Sequence, residues 1–131
     1  MLRKGHRRAP LALALAALAL AGAGTAHAER VTLRDDAGRA IRFDVRVPGV
    51  DPEPYAEVLR QAVHGPEIAR VVIRITTPRQ VAASCGDDAE ACYGPEPGEA
   101  GPVIVLPSRG VADWKHTLLH EYGHHVDHSV R

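Results

Sequence analysis

Apolar and polar residues alternate strictly from Ile41 to Val47, with Ile41, Phe43, Val45 and Val47 on one side and Arg42, Asp44 and Arg46 on the other. That period of two belongs to a strand with one face on a core and the other in water. A shorter apolar run, Val31 to Leu33, precedes it, and Asp35-Asp36-Ala37-Gly38 between them predicts a hairpin turn. The period then changes. Tyr55, Val58, Leu59, Ala62 and Val63 recur at the spacing of one helical face, with Asp51 placed to cap and Pro52 at the first helical position. Gly65-Pro66 ends that helix. Residues 69–76, carrying Val71, Val72, Ile73 and Ile75, predict a more buried strand closed by Pro78. An irregular stretch follows, from Ser84-Cys85-Gly86 to Gly101-Pro102. Val103 to Leu106 is then a short apolar strand, and a last helix begins after Ser108-Arg109-Gly110, with Asp113 suited to its first turn. The fold class expected is α+β: a small mixed sheet with two main helices.

The chemistry concentrates in that last helix. It carries His120-Glu121-Tyr122-Gly123-His124, and residues four apart stand one above the other on a helix face. His120 and His124 are therefore set to present two imidazole nitrogens to one zinc ion. Glu121 lies about 100° further round, where its carboxylate can act as general base on water without ligating the ion. Leu118, Leu119, Tyr122 and Val126 fall on the opposite, apolar side. Gly123 costs roughly 1 kcal/mol against Ala inside a helix, and crowding of a neighbouring element by a side chain would account for it. His125 points away from the metal face and is expected to be structural, and His64 is expected at a helix C-terminus, favoured by the dipole there.

Composition places this chemistry outside the cell. Arg3, Lys4, Arg7 and Arg8 precede an unbroken Leu/Ala run from Leu11 to Ala21, and Ala26-His27-Ala28 has the small-x-small form of a cleavage site. Residues 1–28 therefore read as a secretory signal peptide, and residues 29–131 as one domain. The chain carries 16 Lys and Arg against 16 Asp and Glu. Four of the basic residues and no acidic one lie in the signal, so the mature chain is mildly acidic, which argues against nucleic acid or an anionic membrane as partner. No second apolar stretch is long enough to span a bilayer. Cys85 and Cys92 are the only cysteines, and in an exported chain they imply a disulfide. A zinc pair with six residues between its cysteines is not a usual spacing, and Asp87, Asp88 and Glu90 beside it read as a solvated acidic loop.

The motif helix, preceded by a strand and an irregular loop, resembles the active-site half of the zincin metallopeptidases. The string Cys92-Tyr93-Gly94-Pro95, then Val103-Ile104-Val105, then 118–127 is similar to small secreted bacterial metallopeptidases over about residues 85–128. The resemblance implies zinc on His120 and His124, Glu121 as general base and proton shuttle, and Val103–Leu106 as the edge strand of a peptide-binding cleft. It departs at the third ligand. Many zincins take a Glu from a second helix downstream, whereas here the sequence ends at Arg131. Asp127 and His128 are the candidates, with His116 and Asp113 behind them. Asp127 and His128 lie about 10.5 and 12 Å along an intact helix from His120, so either needs the last turn to unwind. A domain truncated at its C-terminus, or a dimer donating the ligand in trans, are the other readings.

The function expected is a secreted zinc-dependent metallopeptidase acting on peptide or protein substrates. The rivals are a non-catalytic relic and an extracellular metal-binding protein using the ladder His116, His120, His124 and His128.

Overall fold

The computed structural model describes residues 27–131. The export segment read over 1–28 thus lies almost entirely outside the described residues. A five-stranded mixed sheet forms the centre, in the order β1-β2-β3-β5-β4. Its strands are β1 (Glu29–Arg34), β2 (Ala40–Val45), β3 (Val72–Thr76), β4 (Cys92–Pro95) and β5 (Pro102–Pro107), and the helices are α1 (Glu53–Gln61), α2 (Pro78–Cys85) and α3 (Trp114–Ser129). The predicted hairpin joins β1 antiparallel to β2, with Gly38 at a φ of 78° that only glycine adopts freely. β2, β3 and β5 run parallel, and β4 returns antiparallel along β5.

One face of the sheet carries the main core. Ile41, Phe43, Val45, Ile73, Ile75, Ile104 and Leu106 pack there against Ala56 and Leu59 of α1 and Leu118 and Tyr122 of α3. On the other face α2 sets Val81 against Val103 and Val105. Elsewhere on that second face Arg42 of β2 is exposed, as the alternation predicts, but Asp44 is not. Asp44 has no exposed surface, because Arg74 donates to it at 2.8 Å and also holds Glu96 and Glu99 of the β4–β5 loop, each at 2.9 Å. Periodicity does not reveal a polar residue buried by ion pairing.

Among the described residues there are three α-helices, a short α2 standing beside the two main ones expected. Thr77, whose side chain accepts from the Gln80 amide, caps α2, and Pro78 occupies its first turn. Pro78 closes the preceding strand and opens a helix at once. Gln61 ends α1 earlier than the apolar spacing predicts, so Val63 is fully exposed. Residues 66–70 form a 3-10 turn ahead of β3.

The stretch expected to be irregular also contains β4, and this changes the edge of the sheet. β5 is an interior strand, paired on both sides, and the exposed edge beside α3 belongs to β4. The role of edge strand therefore passes from Val103–Leu106 to Cys92–Pro95. The expected disulfide is present: Cys85 at the end of α2 is bonded to Cys92 at the start of β4.

Candidate metal centre and its groove

Asp113 caps α3 by accepting the His116 amide at 3.2 Å, and Leu118, Tyr122 and His125 are the buried residues of the helix. The buried stripe differs from the expected one, since Leu119 is 40% exposed while the polar His125 is 2% exposed. Burying that stripe turns His120 and His124 outward. Their Nε2 atoms stand 3.2 Å apart, with the rings at 88° to one another. Two nitrogens on a tetrahedral zinc at about 2.0 Å would lie roughly 3.3 Å apart. The separation of the two nitrogens therefore matches the bite of a zinc chelate, and both side chains are exposed.

Glu121 is half-buried in the middle of a groove between α3 and the segment leading into β4. On one side of it lies a cavity of about 510 Å³ bordered by Cys92, Tyr93, His124 and Asp127. On the other side is one of about 180 Å³ bordered by Glu90, His116 and His120. Glu121 and Ala91 border both. Of the histidine pair, His124 borders the first cavity and His120 the second.

Among the described residues no group of three His, Cys, Asp or Glu side chains converges as a metal site. α3 stays helical to Ser129, so the unwound last turn that Asp127 or His128 would need is not present. Asp127 instead accepts from Arg131 at 2.8 Å, and the His128 ring lies 6.4 Å from that of Tyr93. Gly123 has open space where a side chain would project, so crowding does not explain it.

The helix is held from behind by one residue that sequence reasoning passed over. The Glu67 carboxylate accepts the Tyr122 hydroxyl at 3.0 Å and the Gly65 amide at 2.6 Å. Its backbone carbonyl accepts Nε2–H of His125 at 2.7 Å. Burial alone would raise the carboxyl of Glu67, but the amide of Gly65, its own amide and the Tyr122 hydroxyl outweigh it and hold the group below its ordinary value. Glu67 is isolated in the sequence among Gly65, Pro66 and Ile68, so no pattern marks it. His64 stands just past the C-terminus of α1, as expected: Nδ1 meets the carbonyl of the C-cap residue Ala62 at 2.7 Å, and Nε2 meets the Asp35 carboxylate at 2.8 Å.

Compared with known protein families, characterised proteins and solved structures, the chain matches none.

Proposed function

We propose that the protein is a secreted zinc-dependent peptidase with His120 and His124 as metal ligands and Glu121 as its general base. The observation that carries this reading is the outward-facing pair of Nε2 atoms 3.2 Å apart beside a groove that both rings and the half-buried Glu121 border. Zinc, when bound, supplies Lewis acidity and lowers the pKa of water at its open position to about 7. With the metal in place, Glu121 would serve as the base that takes a proton from the attacking water and returns it to the leaving amine as the C–N bond breaks. The exposed edge of β4 offers unpaired backbone groups to an extended chain, so an unstructured peptide or protein segment is the substrate class. An antiparallel edge strand lying beside the motif helix supports the zincin likeness. The disulfide and the absence, among the described residues, of a helix long and apolar enough to cross a membrane support an exported protein.

A second reading has its own observation. Catalytic zinc sites use three protein ligands, and no third group converges among the described residues. An extracellular metal-binding protein without hydrolysis would need only the histidine face of α3. The separating experiment is peptide cleavage by the mature chain before and after chelation. The peptidase loses cleavage on chelation and regains it with stoichiometric zinc, whereas a binding protein takes up metal and never cleaves.

A further inference from the structure

β4 is a four-residue edge strand paired on one side only, and so short a ladder holds an edge loosely. Two consecutive side chains add to it from opposite faces. Cys92 is covalently tied to α2, and Tyr93, on the other face, places its hydroxyl 3.1 Å from Nδ1 of His125 on α3. The direction of that hydrogen bond follows from the ring's second contact. Nε2 of His125 faces a carbonyl, that of Glu67, at 2.7 Å, and a carbonyl only accepts. A ring with one N–H spends it on Glu67, and Nδ1 then accepts from Tyr93. Burial raises the Tyr93 phenol above its ordinary value, so the hydroxyl keeps its proton. That hydrogen is committed to His125 and is not free to stabilise charge on a reacting carbonyl.

We propose that Tyr93 is a positioning residue of the groove: by donating to buried His125 it clamps the edge strand onto the motif helix and sets the spacing between β4 and Glu121. The inference rests on the peptidase reading for the groove's use, and on geometry alone for the clamp. The chain of contacts runs from β4 through Tyr93 to His125, the neighbour of the ligand His124, and on to Glu67. Glu67 grips the same helix a second time through Tyr122. Losing the Tyr93 hydroxyl leaves the ring packed in the core but frees the strand to shift along and away from α3.

The test is Tyr93→Phe in the full mature chain, with two readouts. In the metal-free protein, amide hydrogen exchange of residues 92–94 should rise about tenfold, the weight of one hydrogen bond. Exchange of residues 118–126 should stay within about twofold, since Glu67 still holds α3. In the zinc-loaded protein, KM for an unstructured peptide should rise about tenfold with kcat within about twofold, the signature of lost binding rather than lost chemistry. Unchanged exchange at 92–94 overturns the clamp whatever the activity does. Raised exchange with unchanged KM overturns the positioning role. A fall in kcat of about a hundredfold with KM unchanged would instead assign Tyr93 as a donor to the reacting carbonyl. Wild-type protein that does not cleave defeats the peptidase reading, and the exchange measurement still decides the clamp.

Discussion

His120 and His124 bring their Nε2 atoms to 3.2 Å across one helical turn, a distance at which the pair holds either one shared proton or one cation. Both rings are exposed, and a hydrogen bond between two solvated imidazoles gains little over bonds to water. A cation gains from both lone pairs. Replacing either ring should therefore weaken zinc binding steeply while leaving the fold intact. We expect His120→Ala and His124→Ala each to lower zinc affinity more than about a hundredfold, since loss of an outer partner alone costs 10–100-fold. Competition with a chromogenic chelator at neutral pH measures this. Unchanged affinity in either variant would remove that histidine from the site.

Gly123 offers a test of how the helix is built. It lies within α3, and nothing within 4 Å would meet an added Cβ. Gly123→Ala should stabilise the protein by about 0.5–1 kcal/mol, the usual gain for relieving a helical glycine. Denaturant unfolding checks it, and a loss of stability would mean that the glycine relieves a contact absent from this conformation.

Acid should loosen the domain at defined places. Burial would raise the Asp35 carboxyl, but the Arg39 amide, the His64 side chain, the Arg39 guanidinium and the Ala37 amide outweigh it and hold the group below its ordinary value. A hydrogen bond from Arg30 likewise holds Glu99 below its ordinary value, and Glu67 is lowered too. A carboxyl whose folded value is depressed contributes its stability above the unfolded value and loses it as pH falls through the folded one. The protein should thus be indifferent to pH between about 5 and 7 in these groups and lose stability below about 4. Asp35→Asn should destabilise it at pH 7 and flatten the acid limb. Thermal midpoints across that range measure both effects, and an acid limb as steep as wild type would clear Asp35.

The bond between Cys85 and Cys92 spans a sequence separation of 7. Closing so small a loop restricts the unfolded chain by about 2.5 kcal/mol. The double variant Cys85→Ser, Cys92→Ser should lower the melting temperature by on the order of 10 °C for a domain of this size. It should also raise hydrogen exchange first in β4, whose first residue it releases. Calorimetry beside exchange would show a uniform change instead if the bond served only as a general staple.

Elements with a clean period were legible: the β1–β2 hairpin, α1, β3, β5 and α3 all stand near where the alternation or helical spacing places them. So was the disulfide, because two cysteines in a chain read as exported leave few choices. β4 was not, since Cys92-Tyr93-Gly94-Pro95 has no alternation to show and owes its strand to pairing with β5. α2 was missed although Thr77-Pro78 is a cap followed by a first-turn proline. At the site, His120, Glu121 and His124 were legible because one helical turn fixes their relation. Glu67 and the Tyr93–His125 contact join residues 58 and 32 positions apart, and no local pattern encodes them.

The central claim is that Glu121 works on water beside a metal held by two histidines, and Glu121→Gln tests it most directly. The amide keeps the side chain's shape and cannot take a proton. The variant should bind zinc like the wild-type mature chain, and its cleavage of an unstructured peptide should fall by at least about a hundredfold. Cleavage at the wild-type rate by a zinc-loaded Glu121→Gln protein would contradict the account.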